Sequence, residues 1–135
     1  MKISPSLEGI LQKLTVGNGA VLFVVWPLVN TIALRNITLF LGFICGLVIF
    51  INIKPKPSIK ACLPIILLLA VPLWLWIHYF FFPVEPAIAL RELTGTWVRV
   101  ILAILLGFFI GLIVKKDPKL VYLSLIHISE PTRPY

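Results

Sequence analysis

The sequence predicts an all-α protein, a polytopic transmembrane helical bundle. Of its 135 residues, 60% are hydrophobic and 13% are charged, whereas soluble domains average about 45–50% apolar and about 25% charged residues. The 12 basic and 5 acidic side chains are too few to form a polar shell around this much apolar chain. The composition therefore excludes a disordered chain, a disulfide-stapled secreted scaffold and a soluble nucleic-acid-binding protein. The lipid bilayer is the expected partner, and nucleic acid is not.

Four apolar stretches are long enough to cross a bilayer, at residues 17–34, 37–53, 61–82 and 96–114. The hydrocarbon core is about 30 Å thick and needs roughly 20 residues of helix. Backbone groups in lipid must pair within the chain, and these continuous apolar runs lack the alternation of barrel strands. The sequence therefore predicts four membrane-spanning helices within a membrane region at residues 17–122. A cytoplasmic segment, residues 1–16, precedes them, and the short connection at Arg35 and Asn36 predicts a tight first hairpin.

The lysines predict the orientation of these spans. With four spans, all eight lysines fall on one side of the membrane: Lys2, Lys13, Lys54, Lys56, Lys60, Lys115, Lys116 and Lys119. The other side holds only Arg35, Arg91 and Arg99 as basic residues. Cytoplasmic loops are enriched in basic residues, so the N-terminus and the segment after residue 114 are predicted to be cytoplasmic.

The last residues, 123–135, depart from the pattern of the rest of the chain. Residues 123–133 read LSLIHISEPTR and resemble the translation of a transposase-end adapter used in DNA library preparation. We therefore expect residues 123–135 to be an artefact of that adapter, and the natural protein to continue beyond Tyr122. No functional role is assigned to His127, Glu130 or Arg133.

Small and polar residues inside the predicted spans indicate helix packing. Glycines four residues apart occur at positions 42 and 46 and again at positions 107 and 111. This spacing places both glycines of a pair on one helix face, where two backbones can approach closely. Asn30 and Thr31 lie inside the first predicted span and are expected to face other helices.

The residues show no constellation typical of a soluble enzyme. The sequence has no glycine-rich phosphate loop, no metal-ligand cluster and no Ser/His/Asp set. We therefore predict no catalytic residue, metal or cofactor in this chain. His78 lies among Trp74, Trp76 and Tyr79, a pattern typical of the aromatic belt at a membrane interface. A proton relay or a ligand contact is the alternative for His78.

The predicted outer loop, residues 83–96, holds the candidate binding residues. Residues 87–93 have the composition of a short amphipathic helix at the membrane surface, and residues 94–96 (TGT) are expected to end it. Arg91 and Arg99 lie on this outer side, where basic residues are disfavoured. Guanidinium groups suit bidentate phosphate binding. Alternatively, Arg91 pairs with Glu85 or Glu92, and Arg99 extends to the interface.

At this loop the sequence resembles the N-terminal part of the O-antigen ligase and O-antigen polymerase-like family of bacterial inner membranes. Three segments carry the resemblance: the first hairpin at residues 34–39 (LRNITL), the basic turn at 54–57 (KPKP), and the run from 83–86 (PVEP) to 91–97 (RELTGTW). The resemblance covers residues 1–122, about the first third of such a protein.

The resemblance implies a multi-pass inner-membrane enzyme that moves a glycan from undecaprenyl diphosphate to an acceptor at the periplasmic face. The acceptor is the lipid A core for a ligase and another repeat unit for a polymerase. The family is regarded as metal-independent, and its essential residues lie mainly in later helices, so no catalytic residue carries over to this chain. Arg91 and Arg99 are the candidates for binding the lipid diphosphate, and this chain alone is expected to be inactive.

Two other classes remain open from the sequence. One is part of a transporter, which calls for ionisable groups near the middle of the membrane. The spans contain none apart from His78 near one end. The other is a small, complete four-helix membrane protein with a structural role. The sequence does not name the glycan, distinguish ligase from polymerase, or give the oligomeric state or the source organism.

Overall fold

A computed structural model describes residues 3–28, 30–82 and 85–118, and within these ranges the chain is helical with no strand. The helices are α1 (Pro5–Val25), α2 (Ile32–Asn52), α3 (Ile59–Phe81), α4 (Pro86–Glu92) and α5 (Val98–Lys116). A wider π-helical turn at Leu93–Trp97 joins α4 to α5. The predicted all-α class is confirmed for these residues. The adapter-like tail, residues 123–135, lies outside the described residues.

Three helices in the described ranges are long and apolar enough to cross a membrane: Ile32–Asn52, Ile59–Phe81 and the continuous helix Pro86–Lys116. Helix α1 is not among them because Glu8, Gln12, Lys13 and Asn18 lower its hydropathy. The chain thus has the composition of a membrane protein. The fourth spanning helix and the cytoplasmic N-terminus remain predictions.

The predicted first span, residues 17–34, is wrong in its position. Helix α1 ends at Val25, and α2 already begins at Ile32. The hairpin turn therefore precedes Arg35, which lies inside α2, and the second helix begins earlier than the predicted span 37–53. The third helix, in contrast, nearly coincides with the predicted span 61–82.

Local chemistry explains why the first helix ends where it does. Pro27 has no backbone N–H to continue the helical hydrogen bonds. Asn30 has a φ of 64°, in the left-handed region that Asn tolerates better than most residues. The Thr31 hydroxyl donates to the Val25 carbonyl oxygen at 3.1 Å and to that of Leu28 at 2.8 Å. Asn30 and Thr31 thus belong to a turn, not to a span that faces other helices.

Helices α1 and α2 and the part of α5 from Leu106 onward form one compact unit. Val16, Ile49 and Ile113, one from each helix, are its buried core. A methyl group added at Gly42 would lie 3.1 Å from Leu106 Cδ1, and one added at Gly46 would lie 2.8 Å from Phe109 Cβ. The predicted packing role of glycines 42 and 46 is therefore confirmed. A methyl group at position 107 or 111 would meet no atom within 4 Å, so the same prediction is wrong for these two glycines within the described residues.

An ion pair between α1 and α5 shows in which direction α1 runs in this unit. Lys116 Nζ lies 2.7 Å from Glu8 Oε1, so the start of α1 and the end of α5 lie at the same end of the unit. Helix α1 also packs along α2, and a methyl group at Gly19 would collide with Ile110 of α5. Helix α1 therefore runs parallel to α5 and beside α2.

The second unit contains residues 54–105: α3, α4, the π-helical turn and the start of α5. Helix α3 begins after Ser58, whose Oγ accepts a hydrogen bond from the Ala61 N–H at 3.4 Å. Most of its apolar side chains are exposed, and they point in several directions, as at the consecutive residues Ile66, Leu67 and Leu68. Such all-round apolar exposure is what a helix surrounded by lipid presents.

The structure corrects the expected break at residues 94–96. The chain stays helical from Pro86 to Lys116 because the wide turn absorbs Gly95 without ending the helix. The Thr94 hydroxyl donates to the Leu90 carbonyl oxygen at 2.7 Å, and Arg99 Nε donates to the Gly95 carbonyl oxygen at 2.9 Å. The two side chains thus donate hydrogen bonds to backbone carbonyl oxygen atoms at the wide turn, where the regular α-helical hydrogen-bond pattern is interrupted.

Candidate functional site at the junction of α4 and α5

Arg91 lies in the last turn of α4 with its side chain exposed. No ion pair involves Arg91 among the residues that the structure describes. Its alternative partners, Glu85 and Glu92, do not pair with it. The Glu92 carboxylate instead accepts a hydrogen bond from the Thr96 hydroxyl at 2.8 Å. The Arg91 guanidinium is therefore available to an anion.

Arg99 lies in the first turn of α5, and its side chain is also exposed. Its Nε donates to the Gly95 carbonyl oxygen, four residues earlier, so the side chain extends toward the amino-terminal end of its helix. In the described part of the chain, its two terminal nitrogen atoms have no hydrogen-bond partner. One N–H thus orients the guanidinium, and the others remain available.

The wide turn affects how the two arginines are arranged. Arg91 and Arg99 are eight residues apart, and residues seven apart return to the same face of an α-helix. A π-helical turn contains one residue more than an α-helical turn, so the eight-residue separation spans two turns here. We therefore expect both side chains on one face, about 12 Å apart along the axis. Two long side chains in this arrangement can approach one diphosphate.

A groove lies between α3 and the segment 85–97, with a volume of about 330 Å³. Its lining contains Tyr79, Phe82 and Trp97, the His78 ring and the side chains of Glu85 and Glu92. Neither Arg91 nor Arg99 lines it. The His78 ring lies beside the Phe82 ring, with their centroids 5.2 Å apart. Its role in an aromatic belt and its alternative role as a proton relay or ligand contact both remain predictions.

Sequence reasoning did not find this groove. Glu85 and Glu92 are seven residues apart, and Ile88 and Ala89 lie between them at helical spacing. This spacing indicates one face of a helix and is the signal that identifies half of the lining. The other half comes from the last turns of α3, whose approach to this face depends on tertiary structure.

Nowhere in residues 3–28, 30–82 and 85–118 do three or more His, Cys, Asp or Glu side chains group as metal ligands. The side chains near this junction are suited to recognising charge: Arg91 and Arg99 are exposed, and carboxylates and aromatic rings line the groove.

Comparison of the chain with family models, with curated proteins and with solved structures gave no match.

Proposed function

We propose that this chain is the N-terminal membrane part of a glycan-transferring enzyme similar to O-antigen ligase. In this proposal Arg91 and Arg99 bind the diphosphate of an undecaprenyl-diphosphate-linked glycan at the periplasmic face of a bacterial inner membrane. The lipid A core is the acceptor. One observation carries the proposal: two exposed guanidinium groups, neither paired with a carboxylate in the described residues, occupy one end of an apolar helix.

The chemistry of glycan transfer gives these arginines a role. The departing lipid diphosphate gains negative charge as the glycosidic bond breaks, and fixed cationic donors stabilise such charge. Guanidinium groups bind phosphate oxygen atoms in a bidentate manner that lysine does not reproduce. Arg99 is already oriented by its bond to Gly95, which reduces the conformational entropy lost on binding.

In the proposal α1 is the fourth membrane helix, and the N-terminus is cytoplasmic. Two contacts support this arrangement. Helix α1 packs beside α2, and Glu8 pairs with Lys116 at the lysine-rich end of α5. This pairing also partly offsets the cost of placing Glu8 close to the membrane. Arg91 and Arg99 then lie on the side opposite to Lys54, Lys56, Lys60, Lys115 and Lys116, whereas Lys13 lies within α1 itself.

Binding of a short lipid diphosphate tests the proposal directly. We expect farnesyl diphosphate to bind the protein in dodecyl maltoside micelles, with its Kd measured by titration calorimetry. Arg91→Gln and Arg99→Gln should each raise the Kd by about tenfold to a hundredfold, because each removes a charge-assisted hydrogen bond worth about 1.5–3 kcal/mol.

Lys54→Gln is the matched control, since it removes one exposed cation from the other predicted side of the membrane. It should leave the Kd unchanged. Farnesol, which lacks the diphosphate, should not compete. An unchanged Kd in the Arg91/Arg99 double variant contradicts the proposal. So does unchanged glycan transfer when the same two substitutions are made in a full-length enzyme.

A further inference from the structure

The groove between α3 and the segment 85–97 carries charge of the opposite sign to the rest of the chain. The formal net charge is +7, with only 5 acidic residues, yet two of these, Glu85 and Glu92, line the groove. Neither carboxylate has a cationic partner among the described residues. A cation bound in the groove would supply that partner.

Aromatic rings complete the surroundings of these carboxylates. Tyr79, Phe82 and Trp97 contribute rings to the lining, and the face of an aromatic ring attracts a cation, most strongly for Trp. Aromatic rings combined with carboxylates are the surroundings in which proteins recognise substituted ammonium groups. Leu75, Ile88 and Leu93 add apolar lining, which suits the carbon atoms of an amphiphile.

One carboxylate is held in position before any ligand binds. Glu92 Oε2 accepts the hydrogen bond from the Thr96 hydroxyl at 2.8 Å, across one turn of the continuous helix. Its other oxygen makes no hydrogen bond in the described part of the chain. Fixing the carboxylate in this way reduces the conformational entropy lost on binding.

We propose that this groove binds the ammonium group of a phospholipid head group, with Glu85 and Glu92 as the counter-charges and Tyr79, Phe82 and Trp97 around the cation. The groove lies in a segment rich in the aromatic residues that occur at membrane interfaces, which is the depth of a lipid head group. The lining of the groove contains neither Arg91 nor Arg99, so this proposal does not depend on the function proposed above.

The test compares two short-chain lipids that differ in the ammonium group. The protein is labelled with 5-fluorotryptophan in dodecyl maltoside micelles, and its four tryptophans are resolved by fluorine NMR, with Trp97 assigned from Trp97→Phe. Dihexanoylphosphatidylcholine should shift the Trp97 signal saturably. Dihexanoylphosphatidylglycerol, which shares the phosphate and the chains, should bind about fivefold more weakly.

The variants separate recognition of charge from simple burial of the lipid chains. Glu85→Gln together with Glu92→Gln should weaken phosphatidylcholine binding about tenfold and abolish the preference between the two lipids. Glu8→Gln, a carboxylate of the other unit, should change neither. Unchanged signals from Trp26, Trp74 and Trp76 show that the variants remain folded.

Three results would overturn the proposal. Equal affinity for the two lipids shows that the groove holds only apolar chains. Retained preference in the double variant shows that the carboxylates do not recognise the cation. A Trp97 signal that neither lipid shifts shows that the groove is not a lipid site, as when another protein segment fills it.

Discussion

Replacing Gly46 by Ala is expected to destabilise the unit formed by α1, α2 and the second half of α5 by about 1–3 kcal/mol. The added methyl group would lie 2.8 Å from Phe109 Cβ and 2.9 Å from its Cγ, closer than carbon atoms approach. Phe109 is 4% exposed, so its ring has little room to move. Helices α2 and α5 must therefore move apart to accommodate the methyl group.

The buried thiol of Cys45 reports this separation. Cys45 lies next to Gly46 on the chain and is 5% exposed, so a maleimide reaches it only when the helices open. With Cys62 replaced by Ser, Gly46→Ala should raise the alkylation rate in dodecyl maltoside about tenfold or more.

Gly107→Ala is the matched control, because a methyl group at Gly107 meets no atom within 4 Å. Alanine also favours helix over glycine, so alkylation of Cys45 should stay as slow as in the parent protein or become slower. Equal alkylation rates in the two variants would show that Gly46 does not make the close contact described.

Replacing Phe109 by Ala should destabilise the same unit by about 2 kcal/mol. The Phe109 ring contacts those of Phe43 and Phe50, with centroids 6.0 and 5.6 Å away. In a water-soluble core, Phe→Ala costs about 3–5 kcal/mol, partly from transfer out of water. In a membrane the ring moves from lipid into a packed helix interface, and both surroundings are apolar. The expected cost is therefore smaller and comes from the lost packing contacts.

Phe23→Ala makes the same chemical change at an exposed position of α1, since Phe23 is 84% exposed. We expect Cys45 to be alkylated faster in Phe109→Ala, with no change in Phe23→Ala. If the two substitutions accelerate alkylation equally, Phe109 is not part of a packed centre in this unit.

How well the sequence predicted each helix depends on its composition. The third span was predicted within two residues because Ile59–Phe81 is apolar apart from Lys60 and His78 and has prolines close to both ends. The first was misplaced because residues 17–34 are also mostly apolar, and hydropathy does not register a turn inside such a run. Pro27 marked that turn, but prolines are tolerated in membrane helices, and Pro72 does lie inside α3.

The candidate site was partly visible in the sequence. The charge pattern of the sequence identified Arg91 and Arg99 as candidates. It did not show that Arg91 makes no ion pair among the described residues, because Glu92 is its neighbour in the sequence and was a plausible partner. The wide turn was not foreseen, because Thr94, Gly95 and Thr96 are typical of a helix end. The π-helical backbone of Leu93–Trp97 distinguishes a wide turn from a break, and residue spacing does not reveal it.

The most direct test of the account is the side of the membrane on which the arginine-bearing segment lies. Single cysteines replace Ser6, Ser58 or Thr94 in a chain whose Cys45 and Cys62 are changed to Ala. Each variant is produced in bacterial cells and exposed to a membrane-impermeant maleimide. Thr94 lies between Arg91 and Arg99, and all three substituted positions are exposed.

We expect the cysteine at position 94 to be labelled from the periplasmic side, and those at positions 6 and 58 to react only after the inner membrane is permeabilised. Protection of position 94 until permeabilisation would contradict the proposed diphosphate site. Labelling of position 6 together with position 94 would show that α1 does not cross the membrane.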